Sequence, residues 1–307
     1  MSTRLPRTIV LGLFCFLATL PSAILATTPT AVVNDDALTK RFLSELSRLV
    51  DSQHAHTNST LNAEQAAVQL VAAEGKTVHL DRSPTLCSLA NKQSLYDAVT
   101  PAIVVIGSIY KCDKCNDWHL GTMASGWILS STGLVVTNHH VLNEAASHHF
   151  GVMTALGNVY PVISIQAANK AGDAAVLRID TRDDQLPSIC LGDHPECGDA
   201  VTVISHPAGR FYSLSKGVVS RFHCGALKTG YHSTASPIWL SVTADYTLGS
   251  SGGPVFNTDG QVIGMVSRTY STQSSKHNRR YDTLGNQMVF KDCVSLNTLL
   301  ALIDQTY

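Results

Sequence analysis

Two patterns of apolar residues divide the chain. Between Asp35 and about Ser52, Leu38, Phe42, Leu46 and Leu49 recur at helical spacing. Ala66, Ala67, Leu70 and Val71 predict a second helix, capped near Ser59 or Thr60, and Gln53 to Asn58 reads as the loop between the two. A third short helix is expected over Ser88 to Val99. Nothing in residues 27–99 carries chemistry. The expectation there is a helical pro-segment or packing appendage, with His54 and His56 solvated.

From Ala102 the pattern changes to short β-rich runs. Ile103 to Ile106, Gly126 to Leu129, Leu134 to Val136 and Val201 to Ile204 are examples, followed by Gly217 to Ser220, Ile238 to Leu240 and Val262 to Val266. Turn residues separate them, which predicts an all-β sandwich or barrel. Leu296, Leu299, Leu300 and Ile303 return to helical spacing, so a terminal amphipathic helix is expected over Ser295 to Ile303.

Composition narrows the class. With 44% apolar and 15% charged residues, a packed core is possible and wholesale disorder is not expected. A net charge of −1 lacks the basic footprint of a general nucleic-acid binder. Residues 1–26 read as a signal peptide: Arg4 and Arg7 precede an apolar run from Thr8 to Leu20, and Pro21 to Ala26 supplies a breaker and small residues. The run is short for a bilayer span, so export to the periplasm or the outside is expected, without stable membrane insertion. Export permits disulfides. Without Cys15 seven cysteines remain, an odd number, and Cys190 and Cys197 flank a turn-like segment that suits a local pair.

The candidate chemistry centres on Gly249-Ser250-Ser251-Gly252-Gly253-Pro254. A serine among small residues can sit on a tight turn with its hydroxyl exposed. The Gly249 and Ser251 amides could then face a developing oxyanion. The run Val255-Phe256 and the Asp259-Gly260 turn that follow make this structured β context rather than a flexible linker. A serine needs a base, and His139-His140 stands where the strand Leu134 to Val136 ends. A base needs an orienting carboxylate, and Asp173 opens the apolar run Ala174 to Ile179.

These three segments, in this order, resemble the chymotrypsin-fold serine peptidases. They are most similar to the bacterial trypsin-like branch that includes the HtrA (high-temperature-requirement) proteases. That branch typically shows Thr-Asn-x-His-Val, Asp-x-Ala-Val-Leu and Gly-Asn-Ser-Gly-Gly-Pro, and the chain has Thr137 to Val141, Asp173 to Leu177 and Gly249 to Pro254. Leu191-Gly192, Gly198-Asp199, His206-Pro207 and Lys216 to Ser220 also match, so the resemblance spans about residues 97–303. It implies His140 as base, Asp173 as its partner, Ser251 as nucleophile, and an oxyanion hole from Gly249 and Ser251. It implies two packed six-stranded antiparallel β-barrels, at about 100–183 and 184–292 of a peptidase domain 100–303. The helical N-terminal segment precedes them and the C-terminal helix follows. The implied partner is a polypeptide substrate, and no cofactor is required. An esterase on the same triad, or an inactive binding protein on the scaffold, are the rival classes.

The chain departs from the pattern it resembles in places. Ser250 stands where animal trypsins carry the Asp of zymogen activation, and no cysteine closely follows His140. With 56 residues after Ser251, the last strands are expected there without the PDZ domain of HtrA proteins. By the resemblance, Ser267 buttresses Asp173, Arg268 and Thr269 flank the pocket, and Asp245 lies at its floor, where it would favour Lys or Arg. The alternative is that Asp245 bonds locally in its turn. Cys112-Asp113-Lys114-Cys115 with His119 could open a zinc site. No second cysteine pair follows at finger spacing, so a disulfide staple between the first two strands is expected instead. His139, His140, His148 and His149 lack the helical zinc-motif spacing, and no metal is expected there.

Overall fold

The computed structural model describes residues 32–52, 60–80, 84–89, 94–143, 147–224, 236–273 and 286–304. The expected signal peptide, with Cys15, and His54 and His56 lie outside them. Twelve strands form two closed antiparallel barrels. The first contains β1 (Ile103–Lys111), β2 (Trp118–Ser130), β3 (Leu134–Thr137), β4 (His149–Thr154), β5 (Val159–Asn169) and β6 (Ala174–Ile179), in the order β1-β2-β3-β6-β5-β4. The second contains β7 (Ala200–Ser205), β8 (Ser213–Cys224), β9 (Ile238–Val242), β10 (Pro254–Phe256), β11 (Val262–Gln273) and β12 (Asn286–Ser295), in the order β10-β11-β12-β9-β8-β7. Among the described residues no helix is long and apolar enough to cross a membrane.

Helix α1 (Asp35–Asp51) starts at Asn34, whose side chain accepts the Ala37 amide hydrogen, and two acidic residues occupy its first turn. It buries Phe42 and Leu46 completely. Both meet glycines of barrel one: a methyl group on Gly107 would sit 2.8 Å from the Phe42 ring, and one on Gly151 2.7 Å from Leu46. The helix therefore covers the outside of β1 and β4, and β1 is apolar on both faces. Its run Ile103 to Ile106 is continuous rather than alternating for that reason.

Helix α2 (Ala63–Ala73) is capped by Asn62, in a reciprocal box with Gln65, rather than by Thr60; Ser59 lies outside the described residues. It packs on β5, where Gln69 accepts the Ile165 amide hydrogen at 2.8 Å and Glu74 accepts that of Lys170 at 3.0 Å. The third helix is shorter than its pattern suggested: α3 (Leu95–Val99) begins after the Ser94 cap. The terminal helix α4 (Leu296–Leu300) is likewise shorter than the expected span.

The disulfide differs from the expected local pair. Cys190 bonds Cys87, 103 residues away, and Cys197 is exposed and unpaired. Backbone hydrogen bonds explain the partner: Leu86 donates to Ser188 and Cys190 donates to Leu86, which aligns the two segments side by side. The bridge thus ties the N-terminal segment to the connection between barrels. In the chain-entropy picture a loop of this size is worth about 4–5 kcal/mol.

Candidate active site

Strands β3 and β6 are paired through Thr137 and Ala175, so the turns at their ends lie side by side. His140 sits in the short turn of helix that follows β3, and Asp173 immediately precedes β6. Asp173 has φ +55°, a left-handed conformation that aspartate tolerates better than most residues. Asn138 holds it there, donating to its carbonyl at 2.9 Å. The carboxylate, 17% exposed, accepts from the His140 backbone amide at 3.1 Å and lies 2.9 Å from Nδ1 of the His140 ring. Ser267 Oγ, reaching over from β11, donates to the same carboxylate at 2.5 Å. A carboxylate only accepts, so the proton of the neutral imidazole is on Nδ1 and Nε2 is a free acceptor. Ser251 Oγ lies 3.1 Å from that Nε2. His139, by contrast, makes no such contact, and burial lowers its pKa.

Ser251 belongs to the connection between β9 and β10. Gly249 and Gly252, at φ +90° and +84°, set the turn, and neither tolerates a side chain. A methyl on Gly249 would meet the His206 carbonyl at 2.5 Å, and one on Gly252 would overlap the Ser125 carbonyl. Ser250 is buried and receives a hydrogen bond from Ser205 Oγ at 3.0 Å, so only the second serine of the pair faces the histidine. Ser125 of β2 fastens this loop to barrel one. Its amide donates to the Ser251 carbonyl at 2.8 Å and its hydroxyl to the Gly249 carbonyl at 2.9 Å, while it accepts the His206 amide hydrogen at 3.0 Å. Sequence reasoning missed Ser125. Its only signal is a small polar residue, beside Gly126, where the strand turns wholly apolar and buried.

Residues 124–265 match the family model of the trypsin-like peptidase domain. The chain carries a trypsin-like peptidase domain. It is 30% identical over 153 residues to a Halomonas elongata protein named "Probable periplasmic serine endoprotease DegP-like", covering 49% of this chain and 30% of that one. It is 29% identical over 171 residues to "Serine protease HTRA1B" of Danio rerio, covering 55% and 35%. With "Serine protease HTRA2, mitochondrial" of Bos taurus it shares 32% over 143 residues, covering 46% and 30%. The chain spans about a third of the length of these curated relatives.

In the peptidase domain a groove of about 900 Å³ opens beside His140 and Asp173. Helix α2, with Leu70 and Val71, and its C-cap residue Glu74 form one wall, and Trp239 and Arg268 line the groove from barrel two. The part played by α2 is new relative to the sequence, which gave that helix no role at the site. Arg268 lies over the Trp239 ring at 3.9 Å and 3.7 Å from the Asp292 carboxylate. Thr269 is exposed on β11. Pairing of β11 with β10 ends at Met265, so beyond it this edge of Ser267 to Thr269 meets no strand among the described residues. Of the two readings of Asp245, its contacts are those of the turn residue. Its side chain is 89% exposed and ion-paired to Lys291 of β12, so its charge is already neutralised. Its carbonyl accepts from Ser215, as a turn residue's would.

Proposed function

We propose that the peptidase domain is an exported serine endopeptidase that cleaves peptide bonds through an acyl-enzyme. The unbroken chain Asp173–His140–Ser251, with contacts of 2.9 and 3.1 Å, carries this reading. His140 Nε2 takes the hydroxyl proton as Ser251 Oγ attacks the carbonyl carbon, then returns it to the leaving amine. Asp173 holds the ring in the tautomer that leaves Nε2 free. The amides of Gly249 and Ser251 donate to the oxyanion. The free edge of β11 at Ser267 to Thr269 suits an extended peptide added as a further strand, which favours peptides over small esters. Occupation of Asp245 by Lys291 removes the case for cleavage after Lys or Arg. The Cys87–Cys190 bridge fits an oxidising compartment.

Turnover of a peptide library and matched esters tests the proposal on two variants. Ser251→Ala should lose on the order of a millionfold in kcat. Ser250→Ala keeps the nucleophile and should remain active. An active Ser251→Ala protein contradicts the assignment, and ester cleavage without peptide cleavage contradicts the substrate class.

A further inference from the structure

The hairpin between β1 and β2 carries chemistry that the peptidase reading does not use. Lys111 pairs with Trp118 and Tyr110 with His119, so the six residues Cys112 to Asp117 close the tip. The Asn116 amide donates to Cys112 O at 2.8 Å, and Asn116 adopts φ +60°. This turn does not bridge its cysteines, contrary to the staple expected from their spacing: Cys112 and Cys115 are both unpaired. They converge instead on His119. The two sulfurs and a ring nitrogen lie within 4.8 Å of one another, with Cys115 Sγ 3.1 Å from His119 Nε2. Tyr110 stacks on the His119 ring at 5.7 Å and 25°. We propose that Cys112, Cys115 and His119 form a zinc site that clips the β1–β2 hairpin, with solvent as the fourth ligand.

Two thiolates and one imidazole are the donors zinc prefers. Its bond lengths of about 2.0–2.3 Å put the ligand atoms of a tetrahedral site roughly 3.5–3.8 Å apart. The ligand atoms already lie within 4.8 Å of one another, and Cys115 and His119 are exposed, with room to adjust. On binding, each thiol releases its proton to solvent and His119 coordinates through neutral Nε2, so two thiolates balance the charge of Zn²⁺. Metal would also keep the pair from oxidising.

The test is a cobalt titration of the reduced full-length chain, followed by competition with zinc. Thiols are counted first, so that a Cys112–Cys115 disulfide cannot pass for an empty site. The expected result is the visible ligand-field spectrum of a tetrahedral thiolate complex, saturating at one cobalt per chain and erased by zinc. Cys112→Ser/Cys115→Ser should abolish it. His119→Ala should weaken binding by more than the roughly tenfold that loss of an outer partner costs. No spectrum from protein with free thiols, or one that survives the double serine variant, overturns the site. Neither outcome depends on Ser251, so the peptidase reading stands or falls separately.

Discussion

Ser125 shows how one small side chain joins two barrels. Its hydroxyl donates to the Gly249 carbonyl and accepts from the His206 amide, and all of this is buried. Ser125→Ala leaves both backbone groups unpaired, each costing about 1–3 kcal/mol. We expect a loss of roughly 2–4 kcal/mol in urea unfolding and a fall in kcat, because the Gly249 turn relaxes. Unchanged stability and turnover would show that the loop is held elsewhere. His206 itself is fully buried, and its Nδ1 accepts the Tyr212 amide hydrogen at 3.0 Å. Burial pushes its pKa down to about 4. The unfolded chain takes up a proton near pH 6.5 that the folded one refuses until about pH 4. The resulting stability is complete above that upper value and drains as pH falls towards the lower one, by up to roughly 3 kcal/mol. His206→Asn keeps an acceptor for Tyr212 and should flatten unfolding free energy against pH across this window. Equal slopes in the two proteins would count against the buried neutral ring. The serine and histidine motifs were legible because the chemistry demands glycines and a strand end around them. Ser125 was not, since its partners are backbone atoms of two segments 81 and 124 residues away.

At the scale of elements, apolar periodicity located α1 within a residue at its far end. It could not say what the helix covers. The structure answers through two glycines, Gly107 and Gly151, whose missing side chains admit Phe42 and Leu46. Helices α1 and α2 thus contribute side chains to the core of barrel one, as a packing segment would. Phe42→Ala should cost about 3–5 kcal/mol, the range for a large buried aromatic. A melting temperature unchanged by it would mean that α1 is loosely seated. Helix α2 has a second function, since its Leu70 and Val71 wall the groove beside His140. That role depends on where β5 presents the helix, which no spacing within the helix encodes. The Cys87–Cys190 pair was hidden for the same reason. A turn with two nearby cysteines suggested a local bridge, whereas the partner was set by the pairing of Leu86 with Ser188.

At the scale of the whole molecule, the proposed site draws its side chains from both barrels. Barrel one supplies His140 and Asp173, barrel two supplies Ser251 and, through Ser267, a further hydrogen bond on Asp173. Many short strands predicted only a sandwich or barrel, and the two closed barrels were what the resemblance to the chymotrypsin-fold peptidases implied. Spacing left Asp245 open between pocket floor and turn, because its ion-pair partner Lys291 arrives from β12, a strand forty-six residues on. The central claim is that Ser251 is a nucleophile activated by His140. Intact-mass analysis after a fluorophosphonate is added to the folded chain tests this most directly. The account predicts one adduct per chain, mapped by peptide sequencing to Ser251 and slowed strongly in His140→Ala. An unlabelled wild-type chain, or an adduct on Ser250 or any other serine, would contradict it.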